Sequence, residues 1–372
     1  MKNIINKKRI PVSKPSLIGS EKDYVLECMD STWISSNGKY IELFEKKFAE
    51  YIGVKHAISC CNGTTALHVA LLALGIGPGD EIIIPTLTYV ATANAVKYTG
   101  AVPVFADSEL DTWNIDPEKI EPLITEKTKA IIAVPLYGHP CDMDPIITIA
   151  KKHGLFLIED AAEALGTKYK NKYCGSIANI STFSFYGNKT ITTGEGGMVV
   201  TDDDSMAAKL RLLKGQGMDP QRRYWFPVIG YNYRMTNIEA AIGFGQLENI
   251  NLFLEKRRLI AEWYFKCLKG IRGVSLPIEK DYAVHSYWMY SILIEEEFGI
   301  SRDELMEQLE KYGIETRPVF YPMHIMPVYK EDSQELRNAE EIAAKGINLP
   351  TFYELEKEDV EYVAGVLKEL CR

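Results

Sequence analysis

Between residues 50 and 200, short apolar runs alternate with stretches of helical periodicity. No other feature constrains the fold so strongly. Candidate strands are Glu81–Ile84, Val102–Ala106, Ala130–Pro135, Leu155–Ile158, Thr182–Phe185 and Gly197–Val200, and between them run helical patterns such as Thr64–Leu74, Tyr89–Thr99, Met143–His153 and Met206–Lys214. Strands apolar on both faces must be covered on both faces, and intervening helices supply that cover. The pattern predicts an α/β domain built on a mainly parallel sheet. Beyond residue 235 the texture changes: Ile238–Phe265 reads as one or two long helices, Tyr287–Ile294 as a strand, and Arg302–Tyr312 and Lys357–Leu370 as helices. With 372 residues the chain accommodates two domains, expected as a large domain over residues 1–250 and a smaller C-terminal α+β domain over 251–372.

Composition narrows the function classes. The chain is 46% apolar and 25% charged, the balance of an ordinary globular protein. A net charge of −9 argues against general binding to nucleic acid or acidic membranes, which need a basic surface. The seven cysteines form no CxxC pair, so neither a disulfide framework nor a metal site is signalled. Met1–Arg9 is basic but no apolar stretch of signal-peptide length follows it, and no run approaches the roughly 18 apolar residues of a membrane span. A cytoplasmic protein is expected.

Three segments carry candidate chemistry. Asn62-Gly63-Thr64-Thr65 opens a helix, where glycine permits close approach and free N–H groups favour an anion. The same residues also suit an ordinary helix start with Thr64 as the cap, and both readings stand. The run Leu155–Asp160 is a buried-strand pattern ending in two acids, and alternation sends Glu159 and Asp160 to opposite faces. Only one of them can point into a given crevice at the strand ends; a solvated strand-end acid or a helix cap is the competing reading. In Ser184–Lys189, a lysine follows a strand and precedes the glycine-rich Thr193–Gly197. Most lysines are surface charges, but lysine is also the residue that forms an imine with an aldehyde cofactor once its amine loses its proton. By contrast, Gly75–Asp80 mimics a dinucleotide fingerprint in the wrong context, since it follows a helix and precedes a strand; it reads as a turn.

Taken in order, N-G-T-T-A-L at 62–67, E-D-A-A-E-A-L-G at 159–166, S-F-Y-G-N-K at 184–189, T-G-E-G-G at 193–197 and G-Y-N-Y-R-M-T-N-I-E-A-A at 230–241 resemble the DegT/DnrJ/StrS sugar aminotransferases, a branch of the fold-type I pyridoxal-phosphate enzymes. The resemblance runs from Trp33 to Pro350. It implies that Lys189 holds pyridoxal 5'-phosphate as a Schiff base and later shuttles protons, and that Asp160 pairs with the ring nitrogen. It further implies phosphate contacts from Gly63, Thr64, Thr65 and Ser184, ring stacking by Tyr89, and a phosphate contact from Asn232 of a neighbouring subunit, hence a homodimer or higher oligomer with its active site at the interface. Arg234, in the same loop, reads as structural. Glu163 departs from the family pattern, which has glutamine touching the cofactor's phenolic oxygen; two anions there would repel unless a proton is shared.

The resemblance also implies a nucleotide-linked keto sugar as substrate, with glutamate as donor and 2-oxoglutarate as product. Trp33 and Ser35 match an N-terminal substrate loop, and Arg317 and His324 match a segment closing over the nucleotide sugar. For Arg317 a diphosphate contact and a surface ion pair are both open. The segments 136–144, 187–193 and 317–324 are closest to members that aminate C4 of GDP-4-keto-6-deoxymannose. The alternatives are UDP- or dTDP-linked keto sugars aminated at C4 or C3, and, from another class, a cofactor-binding regulatory protein without catalysis. In a branch that removes a sugar hydroxyl, histidine replaces the lysine, so Lys189 argues against that chemistry.

Overall fold

The structure, a computed structural model, describes residues 9–330 and 335–372; apart from Arg9, the basic N-terminal segment lies outside the described residues. In chain order the first strands are β1 (His56–Cys60), β2 (Glu81–Pro85), β3 (Val102–Ala106), β4 (Thr128–Ala133), β5 (Phe156–Asp160), β6 (Lys168–Tyr169), β7 (Lys172–Tyr173), β8 (Ile180–Ser184) and β9 (Gly197–Thr201). Seven of them form one sheet in the order β1-β9-β8-β5-β4-β2-β3. Every pairing from β8 to β3 is parallel, whereas β9 runs antiparallel to both its neighbours. The mainly parallel sheet expected from the sequence is therefore present. Apolar alternation gave no sign of the reversal at β9, because strand direction depends on the connection rather than on the residues of the strand.

Continuous burial of Ile82, Ile83 and Ile84 on β2 follows from cover on both faces. Helix Gly63–Ala73 packs on one face with Leu67 and Leu71, and helix Met143–His153 packs on the other with Met143 and Ile146. The latter helix stops at Gly154, whose positive φ of 64° suits a residue without Cβ.

A second sheet of short strands, β10 (Val274–Ser275), β12 (Tyr290–Ile294), β14 (Gly346–Leu349) and β13 (Arg317–Pro318), is antiparallel throughout. β11 (Ala283–Val284) instead joins β6 and β7. The helical pattern at 238–265 resolves into Asn237–Glu248 and Ile250–Leu268. The second of these serves two cores: Phe253 packs with the large-sheet cluster, while Tyr264 and Leu268 pack with the C-terminal one. Ile10 also belongs to the C-terminal cluster and bridges to Ile314, so the start of the described chain is tied to the C-terminal core.

A buried histidine, His139, meets the segment leading to β12. His139 Nδ1 lies 2.8 Å from the Pro140 carbonyl, and its Nε2 accepts from the Lys280 amide at 3.2 Å. Burial lowers the His139 pKa to about 4. Because the unfolded imidazole binds a proton near pH 6.5 and the folded one does not, the unfolded state gains protons first on acidification. This group's contribution to stability is intact above about pH 6.5 and declines as pH falls towards about 4. His139→Gln keeps a donor and an acceptor without titrating, so it is expected to flatten Tm against pH over that window. Parallel Tm profiles for the two proteins would refute this.

Candidate active site

The carboxyl ends of β2, β4, β5 and β8 converge on a cavity of about 520 Å³. This is where a parallel sheet presents its strand-end side chains and the starts of the helices that follow. Asp160 is the last residue of β5, buried and facing the cavity, while Glu159 points to the opposite face as alternation requires. Glu159 Oε2 accepts from the Gly175 amide at 2.6 Å, and burial pushes its carboxyl up to about 7. Asp160 Oδ2 accepts from the Thr92 hydroxyl at 2.8 Å and its Oδ1 accepts from the Ala162 amide at 3.4 Å. Burial raises its pKa against those two donors and against Lys189. A cation entering the cavity opposite this carboxyl would hold it ionised.

Lys189 follows β8 through the turn Tyr186–Lys189, whose amide bonds back to the Tyr186 carbonyl. Its side chain is only 13% exposed. Nζ lies 3.6 Å from Glu163 Oε1 and 3.8 Å from the centre of the Trp288 ring. Burial lowers the pKa of this amine, opposed by Glu163 and then Asp160. A lysine so placed loses its proton more readily than a surface lysine, which is what bonding to an aldehyde requires.

The loop before helix Gly63–Ala73 supplies the anion-binding end. Its cap is Asn62, not Thr64: Asn62 Oδ1 accepts from the Thr65 amide at 2.9 Å, and Thr65 Oγ1 accepts from the Asn62 amide at 3.3 Å. Thr65 is thereby committed to the cap and does not line the cavity, whereas Gly63, Thr64 and Ser184 do. A Cβ on Gly63 would lie 2.8 Å from Ser184 Cβ, so glycine is what lets the helix start close against β8.

Tyr89 is exposed at the cavity wall, its ring 5.7 Å from that of Phe320. Arg317 also lines the cavity, with a loose 3.8 Å ion pair to Glu315 that contributes little on an exposed surface. The other expected residues lie outside this cavity; of these, Asn232 is expected to serve a neighbouring subunit's site rather than its own. His324 is buried between the Thr86 hydroxyl (2.8 Å) and Glu340 (2.9 Å), away from the cavity; its ring nitrogens are already engaged in packing the chain. Trp33 and Ser35 are exposed, and Trp33 lines a separate hollow with Glu27 and Asn237. Asn232 is exposed outside the cavity and accepts from Arg234 at 3.0 Å.

Sequence reasoning missed Tyr137 and Trp288. Tyr137 adopts φ 52°, its ring stacks between Trp288 and Phe320, and its amide donates to Glu163 Oε2 at 2.9 Å. Trp288 Nε1 donates to the Asn188 carbonyl at 2.8 Å. An αL tyrosine beside a glycine leaves little local signal, and Trp288 was absorbed into a strand that begins only at Tyr290.

The chemistry of this donor set fits pyridoxal phosphate: a largely buried amine, a buried carboxyl in the same cavity, and a helix start pressed against a hydroxyl. This fold and this cavity define the pyridoxal-phosphate-dependent aminotransferases of fold type I. The family model described as the DegT/DnrJ/EryC1/StrS aminotransferase family matches residues 15–368, and the chain belongs to that family. It is 54% identical over 364 residues to the GDP-perosamine synthase of Caulobacter vibrioides, covering 97% of this chain and 98% of the relative. It is 55% identical over 362 residues to the GDP-perosamine synthase of Escherichia coli O157:H7, at the same coverage. Among solved structures, the Helicobacter pylori aminotransferase PseC, involved in the biosynthesis of pseudoaminic acid, superposes with a TM-score of 0.92 at 32% identity, over 98% of this chain and 99% of that one.

Proposed function

We propose that this chain transfers the amino group of glutamate to C4 of GDP-4-keto-6-deoxymannose, forming GDP-perosamine and 2-oxoglutarate. The observation that carries the reading is a largely buried Lys189 amine sharing one cavity with a buried Asp160 carboxyl at the carboxyl rim of a parallel sheet. The choice of sugar is supported by the 54% and 55% identity, over nearly full length, to two GDP-perosamine synthases.

In this reading Gly63, Thr64 and Ser184 hold the cofactor phosphate at the helix N-terminus, and Thr65 acts through the cap that fixes the loop. With pyridoxal phosphate bound, Tyr89 would cover a ring face and Asp160 would keep the ring nitrogen protonated. Pyridoxal phosphate supplies the electron-withdrawing ring that carries the amino group between substrates. Lys189 would be the one base of both halves, taking a proton from the donor carbon and handing it on within the first half, then delivering one to the sugar carbon in the second. Arg317, at the cavity wall, is placed to meet a diphosphate through paired N–H donors. Asn232, turned away from its own cavity, suits delivery to that of a second copy, so a homodimer is the smallest competent unit. The unpaired cysteines suit the reducing cytoplasm. No described helix is long and apolar enough to cross a membrane.

Incubation with glutamate and a panel of GDP-, UDP- and dTDP-linked keto sugars tests the reading by product mass. The GDP sugar is expected to be aminated with kcat/KM at least about tenfold above the others, the scale on which binding contacts discriminate. Preference for a UDP or dTDP sugar would overturn the substrate assignment.

Gly63→Ala tests the phosphate cradle. The added methyl meets Ser184 and must push the helix start away. Overpacking of this kind costs about 1–3 kcal/mol, so cofactor affinity is expected to fall about tenfold or more. Unchanged affinity in a spectral titration would remove Gly63 from the cradle.

A further inference from the structure

Among the described residues, Glu163 is the one carboxylate within 4 Å of the Lys189 amine. Asp160 is occupied by Thr92 and Ala162. The two oxygens of Glu163 have separate tasks: Oε2 is anchored by the Tyr137 amide at 2.9 Å, and Oε1 faces Nζ at 3.6 Å. The anchor is itself stiff, because Tyr137 is wedged between two aromatic rings. The Trp288 ring, held by its bond to Asn188, also lies against Nζ.

We propose that Glu163 is the proton acceptor that converts the Lys189 ammonium into the reactive amine. The proton passes from Nζ to Oε1: the N–H bond breaks, its electron pair stays on nitrogen, and the carboxylate becomes a carboxylic acid. The pair's net charge does not change, so no charge need enter or leave a buried site. The present separation is longer than a transferring hydrogen bond, as is common before a ligand fills a site. Three titratable groups face Glu163: Lys189, Asp160 and Tyr137. Burial raises the Glu163 pKa and lowers that of Lys189, so both directions favour the neutral pair. The Trp288 face favours the ammonium and keeps the two states close. A glutamine at 163 could accept from Tyr137 but could not take the proton.

The inference rests on Lys189 being the amine of the proposed reaction, and the test separates the two. Infrared difference spectra are recorded as cofactor-free protein captures pyridoxal phosphate, with the bonded lysine identified by reduction and peptide mass. A protonated-carboxyl band is expected in the wild type and its loss in Glu163→Gln. Capture at Lys189 with no band, or a band that persists in Glu163→Gln, would overturn the role of Glu163 while leaving the proposed reaction standing. No capture at Lys189 in the wild type would overturn both.

Discussion

Lys189→Ala is expected to lower turnover about 10⁴-fold or more, the upper range for a positioned acid–base group that also bonds the cofactor. Its absorbance should lose the band of a lysine-bound aldehyde, while some cofactor remains through the phosphate cradle. Lys189→Arg is expected to fail equally, because guanidinium stays protonated and cannot form the imine. That second variant separates chemistry from charge: it keeps a cation beside Glu163 and Trp288, where Nζ now sits at 3.6 Å and 3.8 Å. Amination of the keto sugar by either variant at near wild-type rate would end the assignment of the site.

Asp160→Asn is expected to reduce kcat about 10²–10³-fold, the scale of losing one preorganised electrostatic partner in a dry site. Asparagine retains an acceptor for the Thr92 hydroxyl, which is 2.8 Å from the present carboxylate, so the wall should keep its shape. What disappears is the charge that keeps a ring nitrogen protonated. Cofactor content should therefore change little while turnover collapses. If cofactor is lost in step with activity, Asp160 is a binding residue and its electronic role is wrong.

Much of the site was legible because the reactive types fall at the ends of recognisable strands. Asp160 ends β5, and Lys189 follows β8 by a short turn. Strand alternation separated Glu159 from Asp160 but could not say which one faces the cavity; that depends on which face of the sheet receives Tyr137, Trp288 and Phe320. His324 shows the converse. It sits four residues from Phe320 in a segment that does border the cavity, yet its ring turns inward to Thr86 and Glu340. Thr65 stands one residue from Thr64, but the cap consumes its hydroxyl.

By itself the sequence determined the alternation of strands and helices and the chemical types available at the strand ends. These are local matters, decided by backbone sterics and the period of apolar residues. Tertiary structure alone decided the reversal of β9, the sharing of helix Ile250–Leu268 between two cores, and the meeting of Lys189 with Glu163 and Trp288. Those features join residues distant in the chain, and burying both sheets in one molecule sets their distances, which no local preference encodes.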